Sequence, residues 1–260
     1  YSIEQRQGLV IWEAQFGDFA NVAQVIIDQF LVSSQAKWNQ PSGLVLFLPH
    51  GLEGQGPEHS SARPERFLQL CAKENIDLVH LTTAAQVFHR LRQQASSMVQ
   101  RPLIVFTPKR LLQHASAAST IDELCQGGFR QLIADTVTDR PSQILLCAGQ
   151  VASDLQAERK KRGSSETIVK LEQLYPFPRE ALRQVLATHA DGTPVTWVQE
   201  EPENMGAWRW LRPQLSEVSR DHSLRYVARP ERVSPATGSL AIHNREHREL
   251  MDSAFEGAAS

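Results

Sequence analysis

The chain has 260 residues, 41% hydrophobic and 22% charged, with 27 basic and 29 acidic residues and a formal net charge of -2. Such a composition belongs to globular chains, and the length suits one large or two moderate domains. A near-neutral balance gives no sign of a polyanion-binding surface, so nucleic acid is not expected as a main partner.

Cys71, Cys125 and Cys147 are odd in number and far apart, so they make neither a disulfide framework nor a metal-spaced set. No apolar run is long enough to span a bilayer, and no signal peptide opens the chain. The chain starts at Tyr1, without Met, and reaches a strand-like run at once, which reads as entry into the middle of a fold.

Residues 9–14, LVIWEA, read as a buried strand. In residues 18–31, Phe19, Val22, Ala23, Ile26, Ile27 and Phe30 recur at helical spacing, with Asp18 as the expected N-cap. Residues 33–43 read as a loop. The apolar run 44–49, LVLFLP, reads as a strand buried on both faces. After the polar, glycine-containing stretch that follows it, residues 64–74 predict a helix with Pro64 in its first turn. A strand at 76–81, a helix at 84–95 and a strand at 102–107 complete a first unit, residues 1–114.

Small, polar and Gly residues collect over 115–141, where a linker is expected. Alternation resumes in a second unit, 142–260. Strands are expected at 143–149, 167–174, 195–201 and 223–229. Helices are expected at 151–163, 178–190, 206–219 (bent or broken at Pro213) and 241–255. The alternation predicts an α/β protein with two parallel-sheet units. Ligands of such sheets bind at the carboxyl ends of strands. Three polar junctions fall there: EAQFGDF (13–19), HGLEGQGPEHSS (50–61) and QEEPENMGAW (199–208).

The glycines of GLEGQG fit no nucleotide fingerprint and read as a flexible turn. His59, at the mouth of a helix, has equal claims as a proton-handling group and as a loop anchor. His50, at a strand end, reads as an anchor for loop backbone. His243, Glu246 and His247 match H-x-x-E-H, but the charged neighbours Arg245 and Arg248 make a solvated helix face the better reading, so no metal site is expected. The run Arg159, Lys160, Lys161 and Arg162 suits a solvated helix C-terminus. Glu200 and Glu201 are adjacent, so on a strand they point to opposite faces, and WVQEEPENMGAWRW reads as an interface or packing corner.

The blocks LVIWEAQFGDFANVAQVIIDQF, GLVLFLPHGLEGQGPEHSSARPERFLQLC, RPLIVFTPKRLL, LEQLYPFP and WVQEEPENMGAW resemble, in order, the carboxyl-terminal portion of the 2-oxoglutarate dehydrogenase family. The resemblance runs over essentially the whole chain. It implies a transketolase-like architecture: the later part of a pyrimidine-binding domain, then a parallel-sheet carboxyl-terminal domain. It implies an oxidoreductase of the tricarboxylic acid cycle. That enzyme decarboxylates 2-oxoglutarate with thiamin diphosphate and passes the succinyl group to lipoyl on the dihydrolipoyl succinyltransferase component.

By match to the G-P-E-H-S-S block, His59 is the expected catalytic and substrate-binding residue, with Ser60 beside the substrate. By match to EAQFGDF, Phe16 and Phe19 are expected against the aminopyrimidine, with Gln15 and Asp18 as polar neighbours. The segment that would hold Mg2+ and diphosphate, Gly-Asp-Gly followed by Asn, is not in this chain, so this chain alone is expected to bind cofactor poorly and to be inactive. The resemblance further implies a homodimer. The short loops lead us to expect a bacterial cytoplasm, with a mitochondrial matrix as the alternative. Positions matching an acetyl-CoA site of actinobacterial members are Asp77, Gln93, Gly128, Gln131, Gln173, Glu180 and Ala181, of which Gln173 alone is kept. A nucleotide-site arginine of enterobacterial members falls near Gln40. A 2-oxoadipate dehydrogenase shares the same blocks. A chain that only dimerises or docks the acyltransferase, through WVQEEPENMGAWRW, is the non-enzymatic alternative.

Overall fold

The computed structural model describes residues 1–220 and 222–256. Among these, two five-stranded sheets carry the architecture, and two strands depart from the parallel arrangement expected from sequence.

The first sheet is built from β1 (Ile11–Glu13), β2 (Val45–Pro49), β3 (Asp77–His80) and β4 (Leu103–Thr107), all parallel, in the order β1-β2-β4-β3. Strands β2 and β4 are short runs of apolar residues with both faces covered, the pattern of central parallel strands. Strand β1 was expected to be buried and is exposed throughout. It lies at the edge of the sheet, so one side of it has no neighbouring strand.

Between β1 and β2 the chain winds through a 3-10 stretch Gly17–Ala23, α1 (Gln24–Ile26) and a π stretch Ile27–Leu31, then α2 (Ser34–Trp38) in the region read as loop. The apolar spacing signalled a helix but not its uneven winding. Of the six residues at that spacing only Ile27 is fully buried, while Phe19, Val22, Ile26 and Phe30 are exposed. The N-cap position is Phe16, not Asp18, and no side chain caps it. Helices α3 (Pro64–Leu70) and α4 (Ala84–Ser96) cross over to β3 and β4. Thr83 caps α4 by accepting from the Gln86 amide at 3.3 Å.

The expected linker 115–141 carries α5 (Ile121–Cys125), closed by a Thr120/Glu123 capping box, and β5 (Leu132–Asp135). Strand β5 pairs antiparallel with β7 (Thr167–Leu171) at the edge of the second sheet, whose order is β10-β9-β6-β7-β5. The other members run parallel: β6 (Ile144–Cys147), β7, β9 (Val195–Pro202) and β10 (Leu224–Arg229). Strand β8 (Gln173–Tyr175), read as the end of β7, crosses instead to the first sheet and pairs antiparallel with β3. Each sheet therefore ends on an antiparallel strand.

Helices α6 (Val151–Arg162), α7 (Arg179–Leu186), α8 (Trp208–Val218) and α9 (Leu240–Phe255) cover the second sheet. Gly163 ends α6 in the left-handed region, at φ 63°. Helix α8 continues through Pro213 rather than breaking there. One apolar cluster runs through both sheets, from Leu48 and Phe106 to Leu146, Leu171 and Trp197. This shared core brings the carboxyl ends of β2, β4 and β9 together.

Candidate active site

Three segments meet above the first sheet: residues 15–19 after β1, 50–63 after β2 and 108–110 after β4. Backbone holds them in place. The His50 amide donates to the Thr107 carbonyl and the Gly51 amide to the Ser60 carbonyl, each at 2.9 Å. Gly17 fits between the Pro49 carbonyl and Ala62, where a Cβ would collide with both. Glycine is required at this point because the two loops touch through their backbones.

The residues expected at the site from sequence converge there. His59 stands edge-on to Phe16, ring centroids 4.5 Å apart at 85°, and Phe19 meets Phe16 at 5.9 Å and 76°. His59 and Phe16 are half-buried, and Phe19 and Gln15 are exposed, so the group forms an open ledge. Neither ring nitrogen of His59 and neither polar end of Gln15 is bonded among the described residues.

Asp18 does not cap a helix. Its Oδ1 accepts from the Ser61 amide at 3.2 Å, and its Oδ2 is buried with no partner among the described residues. Ser60, expected beside the substrate, has a structural partner in this loop. It is buried, and its hydroxyl donates to the Gly56 carbonyl at 2.6 Å, which ties the loop to itself.

Sequence reasoning missed one member of this assembly, Lys109, and in a second place it named the residues without their pairing. Lys109 follows β4, and its Nζ donates to the His59 carbonyl at 2.6 Å and to Gln55 Oε1 at 3.0 Å. It also stands 4.7 Å from the centre of the Phe16 ring. Burial pulls its pKa below the ordinary lysine value, against the Glu53 and Asp18 carboxylates, which favour the charge.

The second is a buried acid–imidazole group behind the ledge. His50 is fully buried, with Nε2 at 2.9 Å from Glu201 Oε1 and Nδ1 accepting from the Ala62 amide at 3.1 Å. In the neutral ring, Nε2–H is therefore the donor to Glu201. Burial opposes a charge on His50, but the hydrogen bond to Glu201 and the nearby carboxylates reverse that, so its pKa lies above the usual value. Glu200 turns its Oε2 to the Leu52 amide at 3.0 Å and leaves Oε1 buried without a partner among the described residues. Desolvation, then repulsion from Glu201, raises its pKa to about 7.

Both carboxylates thus reach the same three-residue stretch, His50–Leu52, although the strand rule placed them on opposite faces. The pairing register slips between Val227 and Arg229, beside them, so regular alternation ends there. The WVQEEPENMGAWRW block is in this respect a packing corner. Trp197 lies in the core, and Trp208 stacks on Tyr226 with centroids 4.4 Å apart.

The remaining motifs have structural partners. Glu246 of the H-x-x-E-H helix pairs with Arg232 and with buried Arg229. Among the described residues no group of three His, Cys, Asp or Glu is placed to hold a metal ion. Arg159 corrects the reading of its basic run as solvated: it is buried and donates to the Asp135 carbonyl at 2.9 Å and to Asp135 Oδ2 at 2.7 Å, anchoring β5. Burial pushes the Cys71 and Cys147 thiols up to about 12, so neither is a nucleophile near neutrality. Gln93, Gln131, Gln173 and Ala181 line an open cleft of about 700 Å³ away from the ledge.

The first unit carries an aromatic ledge and a histidine at the strand ends of a mostly parallel sheet, and it is joined to a second α/β unit. The comparisons narrow this. The family model for the transketolase pyrimidine binding domain matches residues 1–114, and that for the 2-oxoglutarate dehydrogenase C-terminal region matches residues 118–255. The chain belongs to the 2-oxoglutarate dehydrogenase family.

Relatives named 2-oxoglutarate dehydrogenase E1 component include one from Cupriavidus necator, 46% identical over 98% of this chain and 27% of the relative. Those from Geobacillus sp. and Haemophilus influenzae are 45% and 44% identical over 98% of this chain and 28% of each relative. The chain spans little more than a quarter of the length of these curated relatives.

Proposed function

We propose that this chain supplies the pyrimidine-side wall and the carboxyl-terminal domain of a 2-oxoglutarate dehydrogenase. The observation that carries this reading is the His59 ring, its nitrogens unbonded, set edge-on to Phe16 where the carboxyl ends of β1, β2 and β4 meet. The ledge fits half of a thiamin diphosphate. Phe16 and Phe19 offer apolar edges to a flat ring, and the buried, unpartnered Asp18 Oδ2 offers an acceptor to an exocyclic amine. When bound, that cofactor supplies a carbon nucleophile and an electron sink, with which a 2-oxo acid can lose carbon dioxide.

The chain's own residues bind, orient and move protons around that chemistry. Phe16 and Phe19 keep one side of the ring dry, and Gln15 lies at the rim. His59 meets the 2-oxo acid with a ring able to donate or accept, and so moves a proton at the substrate oxygen. Ser60 fixes the Gly56 turn that carries His59. Mg2+ and the diphosphate are left to segments outside this chain. The product acyl group passes to lipoyl on the succinyltransferase component.

The exposed apolar side chains Trp12, Val22, Val25, Ile26 and Phe30 offer apolar area that a second subunit of a homodimer would cover. No described helix is long and apolar enough to cross a membrane. The relatives compared are bacterial, which favours a bacterial source over a mitochondrial one.

The test is turnover by a full-length enzyme carrying this chain as its carboxyl-terminal quarter, with 2-oxoglutarate and 2-oxoadipate compared and a lipoyl domain as acceptor. A clear preference for 2-oxoglutarate supports the reading. A preference for 2-oxoadipate, or no release of carbon dioxide from either, rejects it.

A further inference from the structure

We propose that Lys109 is a positioning residue for His59, acting on the reaction by holding the histidine's main chain against the Phe16 ring. The proposal rests on the functional reading above. The His59 loop is closed at its base by the Gly51–Ser60 backbone bond and the Ser60 hydroxyl, but its tip has little regular structure of its own. Gly54 and Gly56 lie at φ 79° and 98°, and the only regular structure is the single 3-10 turn Pro57–His59. Within that turn the His59 amide reaches the Gly56 carbonyl at 3.4 Å, a weak bond.

Lys109 is anchored differently. It follows β4, a strand whose residues are buried throughout, and Pro108 stiffens the step from strand to lysine. Its ammonium touches three things at once: the His59 carbonyl, the Gln55 side chain and the face of Phe16. The first two belong to the loop, and the third is the ring on which the imidazole stands. A single cation therefore sets the separation between the histidine and the proposed cofactor wall. Asp18 and Glu53 are the acids that balance it. A neutral side chain gives up the charge-assisted bond to the carbonyl and the attraction to the ring together. Arginine keeps both.

The test uses the same full-length enzyme with Lys109→Met and Lys109→Arg. Lys109→Met is expected to lower kcat about 100-fold, the usual cost of an ångström of misplacement. KM for 2-oxoglutarate and cofactor affinity should change by less than about threefold, because the loss is in the transition state. Lys109→Arg should recover most of the rate. Amide exchange, followed by mass spectrometry, should quicken in peptides spanning residues 51–60 of the Met variant only, with β4 unchanged.

A Met variant that keeps its kcat within about twofold overturns the proposal. A large loss of kcat with unchanged exchange at 51–60 also overturns it, since Lys109 would then touch substrate directly. If the wild-type enzyme decarboxylates no 2-oxo acid, the functional reading fails, and exchange alone decides the clamp: unchanged exchange in the Met variant rejects it.

Discussion

His59 and Ser60 are neighbours with opposite tasks. The His59 ring is bonded to nothing among the described residues, while the Ser60 hydroxyl is committed to the Gly56 carbonyl. Ser60→Ala should therefore act on stability, lowering it by about 1 kcal/mol in urea unfolding of this chain, the net worth of one such bond. The H-x-x-E-H and basic-run motifs separate in the same way, since their partners were settled by Arg229, Arg232 and Asp135, far off in sequence.

Glu200 gives a pH prediction. Its folded pKa of about 7 lies above the usual carboxylate value, so the folded chain binds the proton more tightly than the unfolded one. The native state loses this advantage as pH rises from the unfolded carboxylate value to about 7, and stability should fall across that window. The upward shift of His50 adds to the fall at its upper end. Glu200→Gln should flatten the slope, measured as the denaturation midpoint at pH 5 and pH 8, and an unchanged slope would place the ionisation elsewhere. His59 was legible because a local block carries it. The His50–Glu201 bond joins residues 151 positions apart, and nothing local in either sequence announces the other.

Among the elements, the central strands were the easiest to read. Apolar runs such as 44–49 and 102–107 have one stable solution, burial on both faces. Edge strands were not, because their burial depends on what lies beside the sheet. Strand β1 proved exposed, β5 emerged from an expected linker, and β8 left its own unit for the first sheet. Strand β5 is only four residues, LIAD, set among polar and glycine neighbours that hid it, and its hold on the sheet comes partly through Arg159.

The junction of β1 with its uneven helix depends on Gly17. Gly17→Ala must move both Pro49 and Ala62, or Gly17 itself, and overpacking of this kind costs about 1–3 kcal/mol. The same movement separates Phe16 from His59, so the variant should lose more activity than stability. Comparison of kcat with the thermal midpoint checks this. An alanine variant with wild-type kcat would mean that the two loops need not touch.

For the whole molecule, the apolar cluster shared by both sheets makes the two units one cooperative body. Trp197, on β9, lies in the same cluster as Leu48 of β2 and Phe106 of β4. Trp197→Ala should cost about 3–5 kcal/mol, and both units should melt together in amide exchange. Loss of protection in the second sheet alone would contradict a shared core.

The most direct test of the central claim is single-turnover release of carbon dioxide from 2-oxoglutarate by the full-length enzyme, with thiamin diphosphate, as wild type and as His59→Ala. The wild type should release carbon dioxide. The variant should do so at a rate lower by about 100-fold or more, the typical contribution of a positioned proton-handling group, with cofactor affinity and thermal midpoint retained. Undiminished release by His59→Ala would contradict the claim.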